Sequence, residues 1–239
     1  MPPDLTTIDT VAFVWFVTVW IGYTVVQDHL LKDRFGVNQN LIAVREHWMR
    51  RFLERDTRIM DAALFGHTMH SVTFFASTTM LVVAGLVGLF GAMDKAHAVA
   101  SELFFTVKTS RAMFELKLLV LLGVFVWAFF KFTWAIRQYN YCCALIGAAP
   151  APPVASDQAR PLAVNLAAAI TLAVASFNEG LRGYYFALAA LTWFIQPWLF
   201  MTMTGLVILV LLRRQVWSST FRVIHAQAQL LDSVEPDGH

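Results

Sequence analysis

Long uncharged apolar runs dominate this chain, and short charged segments separate them. A helix needs about 20 apolar residues to cross the roughly 30 Å hydrocarbon core of a bilayer. Five runs reach or approach that length, namely 11–27, 71–93, 112–136, 161–177 and 185–212. The pattern predicts an all-α integral membrane protein, a five-span helical bundle. We expect a single transmembrane domain over 1–222, with a proline-rich linker at 147–161 and a cytoplasmic tail at 223–239.

The fourth run leaves the number of spans open. It is short and rich in alanine, and the polar, glycine-containing segment 178–185 follows it. If run 161–177 does not cross, the protein has four spans and a re-entrant or interfacial segment. Basic residues accumulate on the cytoplasmic side of membranes. With the N-terminus outside, five spans place 12 basic residues inside and 4 outside, whereas four spans divide them 10 to 6. The charge distribution therefore favours five.

Segment 38–63 predicts a different kind of helix, amphipathic and basic. Apolar residues recur at steps of three and four along one face: Leu41, Val44, Trp48, Phe52, Ile59 and Ala63. Arginines line much of the remaining surface: Arg45, Arg50, Arg51, Arg55 and Arg58. Such a helix beside a span is typical of one that lies along the cytoplasmic leaflet, with its arginines on anionic lipid headgroups. The basic face is short, so we expect no nucleic acid partner.

The composition and the absence of known motifs limit the kinds of catalysis and cofactor binding that we expect from this chain. Hydrophobic residues make up 58% of the chain and charged residues 14%. The two cysteines, Cys142 and Cys143, are adjacent, which suggests neither a disulfide framework nor a spaced thiolate metal site. The chain contains none of the glycine-rich nucleotide-binding, nucleophile-elbow or His-Glu-x-x-His motifs. We therefore expect a protein that is not an enzyme and that carries no cofactor.

Several polar stretches resemble a bacterial membrane-protein family, the one called domain of unknown function 599. The matching stretches are His47-Trp48-Met49, Phe74 to Thr79, Lys131 to Tyr141, Ala144 to Pro150 and Phe177 to Phe186. The resemblance covers most of residues 10–222. The resemblance implies an integral inner-membrane protein, but it implies neither an activity nor any catalytic residue.

Two lysines within the third apolar run are candidate transport residues. Lys117 and Lys131 are 14 residues apart, which places them within roughly 40° on one helix face and about 21 Å apart along the axis. A cationic stripe with a charge near each mouth is what a path for anions would use. Arg137 and Asn140 are further candidates for this path. Alternatively, both lysines extend to the nearer membrane interface with their apolar stems buried.

Two further groups of residues are candidates for a site. Asn178, Glu179, Arg182 and Tyr185 concentrate polarity between two apolar runs, either as an ion or substrate contact or as a simple outer hairpin with a Glu179–Arg182 pair. The hydroxyls of Ser77, Thr78 and Thr79 line the second span, where they bond to other helix atoms or face an aqueous pore.

His67 and His70 stand at i, i+3 at the start of the second span. That spacing places both imidazoles on one helix face, which is compatible with a transition metal or a haem edge. Interfacial histidines without a metal are the alternative.

The function that we expect from the sequence is a passive channel or secondary transporter for a small anionic solute. Two alternatives remain: a non-transporting accessory or scaffold subunit of a larger membrane complex, and a His-dependent metal or haem protein. Small residues at Ala84, Gly88 and Ala92 allow close helix packing, so we expect a homo-oligomer.

Overall fold

The computed structural model describes residues 6–27, 37–102, 109–216 and 218–234, and over these it is helical and without strands. Five helical segments are long and apolar enough to cross a membrane. The helices are α1 (Thr7–Val25), α2 (Val37–Glu54), α3 (Ile59–Gly91), α4 (Met93–Glu102), α5 (Arg111–Gly147), α6 (Ser156–Leu191), α7 (Pro197–Val216) and α8 (Ser219–Val234), with a 3-10 turn at Thr192–Phe194. The predicted fold class, an all-α protein with five candidate spans, is confirmed.

Three of the candidate spans are much longer than their apolar runs. Helices α3, α5 and α6 contain 33, 37 and 36 residues. At 1.5 Å per residue they measure about 50–55 Å, well beyond a hydrocarbon core of roughly 30 Å. The predicted runs 71–93 and 112–136 are therefore only parts of α3 and α5. Helix α6 begins at Ser156, inside the predicted linker 147–161.

The predicted break over 178–185 is wrong. Helix α6 continues through this segment without interruption, and the chain leaves the helix only at Leu191. Gly180 and Gly183 are buried within the helix, where their small size serves packing rather than a turn. The backbone groups stay paired along the helix, so the segment is neither an outer hairpin nor re-entrant. Run 161–177 lies within a helix that is long and apolar enough to cross a membrane, so it counts among the five candidate spans of the described residues.

The amphipathic helix also differs from its prediction. It ends at Glu54, and residues 59–63 belong to α3. Its apolar face is buried in protein, since Met49, Phe52 and Leu53 are each 1% exposed. They pack with residues of α3, α5 and α6. Of the predicted apolar stripe, Phe52 is buried in this core, whereas Leu41, Val44 and Trp48 are half-buried and Ile59 is 76% exposed.

The chain divides into two compact units, and α3, α5 and α6 each contribute a segment to both. The first unit comprises Met1–Gln27, Ala76–Lys131 and Glu179–Leu211. Aromatic rings fill its core: the centroids of Phe16 and Trp193 lie 5.0 and 4.9 Å from that of Phe200.

The second unit comprises Asp28–Phe75, Phe132–Asn178 and Leu212–His239. Small side chains, among them Ala135 and Ala167 with no exposed surface, allow its helices to pack closely around Tyr139 and Phe52. Helices α2 and α8 pack against each other in this unit.

Candidate functional site

A cluster of three charged side chains joins α5 and α6 in the first unit. The Lys131 ammonium contacts a carboxylate oxygen of Glu179, and the Arg182 guanidinium lies 3.9 Å from the other oxygen. The side chains are 34%, 20% and 11% exposed, respectively. Both cations also lie near aromatic rings, Lys131 at 5.6 Å from Trp127 and Arg182 at 5.9 Å from Tyr23. Two cations therefore share one carboxylate in a largely buried setting.

Local sequence explains how α5 and α6 bring these charges together. Glu179 and Arg182 are three residues apart on α6 and thus share a face. One turn further, Gly183 lies so close to α5 that an added Cβ would be 3.0 Å from Ala128 Cβ and 3.1 Å from the Trp127 ring. A residue with a side chain would hold the helices further apart. The close approach at Gly183 allows Lys131, one turn beyond Ala128, to reach Glu179.

A second charged pair is almost completely buried in the same unit. Lys117 is 2% exposed and Asp9 is 5% exposed, and the ammonium lies 3.9 Å from the carboxylate. Trp193 joins them: its indole N–H donates to Asp9 Oδ1 at 2.8 Å, and its carbonyl accepts from Lys117 at 2.9 Å. The Thr6 hydroxyl donates to the second oxygen of Asp9. This network ties the first turn of α1 to α5 and to the turn after α6.

These contacts change the interpretation of the cationic stripe. Each of the two lysines has a carboxylate beside it, and the sequence analysis assigned neither carboxylate to a lysine. Lys117 is paired with one carboxylate, that of Asp9. In the cluster around Lys131, Glu179 also lies beside Arg182. The two lysines therefore have different environments, which the helical spacing alone did not reveal.

The three hydroxyl-bearing residues predicted to line the second span, Ser77, Thr78 and Thr79, lie in different environments. Thr79 is fully buried and its hydroxyl lies 2.9 Å from that of Tyr184 on α6, in the first unit. Ser77 is exposed and Thr78 is half-buried. Tyr184, which the sequence analysis did not single out, makes this contact. Asn178 and Tyr185, which belong to the predicted polar group on the same helix, are both half-buried.

Four predicted residues lie on exposed surface of the second unit. Arg137 and Asn140 are exposed on α5, and Arg137 donates to the Tyr141 hydroxyl at 2.8 Å. His67 and His70 are exposed on α3. Among the residues that the structure describes, no group of three or more His, Cys, Asp or Glu side chains could hold a metal ion.

The arginines of α2 and of the segment after it, which were predicted to contact lipid headgroups, form hydrogen bonds with the protein itself. Arg45 donates to Thr171 at 3.2 Å, Arg51 to Glu54 at 2.9 Å, Arg55 to Asp61 at 2.8 Å, and Arg58 to the carbonyls of Ala149 and Pro150 at 3.1 and 2.6 Å. Arg50, the fifth, is half-buried. Most of this positive charge therefore holds α2 and the following segment to their own unit.

Comparison with curated proteins and with solved structures returns no match for this chain. A family model does match, and it covers residues 11–220, most of the chain. That extent includes both charged networks except for Asp9 and Thr6. The chain therefore belongs to the family described as "Protein of unknown function, DUF599".

Proposed function

We propose that this protein is a multi-pass transport protein of the bacterial inner membrane, a passive channel or secondary transporter that moves a small anionic solute. The observation that supports this function is the cluster of Lys131, Glu179 and Arg182. Charged side chains within membrane segments cost about 2.5–3.5 kcal/mol each on insertion scales, and they commonly mark ion or substrate pathways. Here two cations, Lys131 and Arg182, lie beside the carboxylate of Glu179, and an anionic solute can compete with that carboxylate for them.

In this proposal the solute competes with Glu179 for the two cations. Lys131 is the most exposed of the three and meets the anion first, whereas Arg182 is more deeply placed. The planar guanidinium of Arg182 can bind a carboxylate through two parallel hydrogen bonds, which favours a small organic acid over a halide. Lys117 has a different role, because it is nearly inaccessible and its charge is balanced by Asp9. We assign it to stability.

The proposed topology follows the distribution of basic residues. The N-terminus lies outside, and α2, α8 and the C-terminus lie on the cytoplasmic side. We further propose a homo-oligomer that assembles through α3. Ala84 and Gly88 are exposed on this helix, and an added Cβ at Gly88 would meet nothing within 4 Å. A partner helix can therefore approach the α3 backbone closely.

Flux measurements on reconstituted protein test the transport proposal. The full chain in liposomes should move lactate or a halide, followed by labelled lactate and a halide-sensitive dye, and should exclude potassium. Lys131→Gln and Arg182→Gln should each reduce the anion flux about tenfold or more. Glu179→Gln should lower the half-saturating anion concentration, because the competing carboxylate is gone. Lys95→Gln on α4 is the matched control, since it removes an exposed lysine of the same unit and should leave the flux unchanged.

Two outcomes would refute the proposal. If the unaltered protein moves neither lactate, halide nor potassium, it is not a transporter of this kind. The exposed small residues of α3 would then favour the alternative, a non-transporting accessory or scaffold subunit of a larger membrane complex. If anion flux exists but survives both substitutions, the cluster is not part of the path.

A further inference from the structure

Glu179 lies between the two cations of the cluster that joins α5 and α6. One of its carboxylate oxygens is 2.5 Å from the Lys131 ammonium, and the other is 3.9 Å from the Arg182 guanidinium. Among the residues that the structure describes, these two cations are the ones that form ion pairs with Glu179. Both carboxylate oxygens are thus engaged, and an anion that binds the same two cations must displace them.

The cluster is not closed off by the surrounding protein. The side chains of Lys131 and Glu179 are 34% and 20% exposed. In the other charged pair of this unit, Lys117 and Asp9, the side chains are only 2% and 7% exposed. A solute and a proton can therefore reach Glu179 without a rearrangement of the core, whereas Asp9 is not accessible in this way.

Besides the two cations, the titratable groups near this part of α6 are tyrosines. The ring of Tyr23 on α1 lies 5.9 Å from the Arg182 guanidinium. The hydroxyl of Tyr184 lies 2.9 Å from that of Thr79 on α3. Within the described part of the cluster and these neighbours, Glu179 is the one carboxylate. A proton that is taken up there converts a negative charge into a neutral acid.

Binding of an anion changes which form of Glu179 is favourable. A charged carboxylate that has lost its cations is costly away from bulk water, whereas the neutral carboxylic acid costs much less. Anion binding therefore favours the protonated form of Glu179. By thermodynamic linkage, protonation of Glu179 favours anion binding by the same factor, because it releases the cations from their ion pairs.

We propose that Glu179 carries a proton together with the anion, so that the protein is a proton–anion symporter. This inference rests on the proposed transport function and specifies what drives it. On one side of the membrane Glu179 takes a proton from water, its ion pair with Lys131 breaks, and the anion binds Lys131 and Arg182. On the other side the anion leaves, the proton returns to water and the ion pair forms again. A cycle that moves one monovalent anion and one proton transfers no net charge.

Initial rates of labelled lactate uptake into liposomes that contain the full chain test the coupling, after correction for protein-free liposomes. An outside solution that is one pH unit more acidic than the lumen should raise the rate by up to about tenfold, which is the change in proton concentration. Luminal pyranine should report about one proton for each lactate. A membrane potential set by potassium and valinomycin should not change the rate, because the cycle is electroneutral. The same readouts apply to a halide.

Substitutions at Glu179 assign the proton to this residue. Glu179→Gln should still move lactate, but its rate should no longer respond to the pH difference and should follow the membrane potential. Glu179→Asp keeps the carboxyl group and should restore proton coupling. Glu115→Gln is the matched control, since this carboxylate also pairs with an arginine, Arg111, but is 43% exposed and should leave the coupling unchanged. A purely structural role of Glu179 would change the amount of folded protein and not the number of protons for each lactate.

The outcomes separate this inference from the proposed function. If the unaltered protein moves lactate or a halide but its rate follows the potential and ignores the pH difference, the inference is wrong and the transport function stands. If Glu179→Gln keeps one proton for each lactate, another group carries the proton. If Glu179→Gln is inactive, flux without proton coupling in Glu179→Asp would overturn the assignment. Absence of any flux refutes the transport function and this inference with it.

Discussion

Removing either member of the Asp9–Lys117 pair should destabilise the protein, and the two losses should be unequal. Asp9→Asn keeps the shape of the side chain but leaves Lys117, which is 2% exposed, without a counter-charge. Its remaining partners are the Trp193 carbonyl at 2.9 Å and the Trp193 ring at 5.5 Å. Lys117→Gln leaves Asp9 charged, but Trp193 and Thr6 still donate to it.

The expected magnitudes follow from these remaining contacts. Breaking a buried ion pair costs about 3–5 kcal/mol when the surviving charge is left uncompensated, which is the case for Asp9→Asn. Lys117→Gln should cost about 1–3 kcal/mol, because the carboxylate keeps two hydrogen-bond donors. The double variant removes both charges. Its cost should be smaller than the sum of the single costs by at least about 1 kcal/mol.

Thermal unfolding in detergent, followed by tryptophan fluorescence, measures these differences. In a domain of 150–250 residues, 1 kcal/mol corresponds to roughly 2–4 °C in melting temperature. Asp9→Asn should therefore lower the midpoint by roughly 6–20 °C. Asp94→Asn is the matched control, since it removes an acidic side chain that is 81% exposed and should leave the midpoint unchanged.

The reasoning would be refuted by either of two results. Equal losses for Asp9→Asn and Lys117→Gln would mean that the donors from Trp193 and Thr6 do not support the carboxylate. A double variant whose cost equals the sum of the single costs would mean that the two charges do not interact.

Three further predictions concern packing and topology. Gly183→Ala should cost about 1–2 kcal/mol, because its Cβ would be 3.0 Å from that of Ala128, whereas Gly123→Ala, at an exposed position of α5, should leave the melting temperature unchanged or raise it. Phe52→Ala should cost about 3–5 kcal/mol, because the ring lies in the protein core, and Val223→Ala at an exposed position should change stability by less than about 0.5 kcal/mol. Equally small effects of the two substitutions would mean that the apolar face of α2 contacts lipid instead. A reporter fused after α8 should show a cytoplasmic C-terminus, and a periplasmic signal would contradict the proposed topology.

The sequence predicted the number of candidate spans because the requirement for about 20 apolar residues is strong and local. It wrongly predicted a break over 178–185, because glycine and polar residues in a row are also typical of a turn. In the structure the burial of Gly183 against Ala128 and the pairing of Glu179 with Lys131 keep the segment helical. Both effects depend on α5, a helix about 50 residues earlier in the chain, and periodicity cannot reveal such a neighbour.

The same distinction applies to the candidate site. Helical spacing correctly drew attention to Lys117 and Lys131, since cations within apolar runs are conspicuous. Their partners were not predictable from spacing. Asp9 lies before the first apolar run, and it pairs with Lys117 across more than 100 residues of chain. For α2, the predicted apolar stripe included Phe52 but extended to Ile59 and Ala63, which belong to α3, and a stripe does not say whether lipid or protein covers it. Only the packed structure shows that Phe52 lies in a protein core.

The position of Trp193 also limits how the first unit can move. This one residue contacts α1 through Asp9 and Phe13, α5 through Lys117, and α7 through Phe200. A rotation of any of these helices at that end would break a hydrogen bond or separate stacked rings. Trp193 thus restrains the motion of α1, α5 and α7 relative to one another at this end of the unit. A transport cycle would have to take its motion from parts of α5 and α6 remote from Trp193, where Lys131 and Glu179 are.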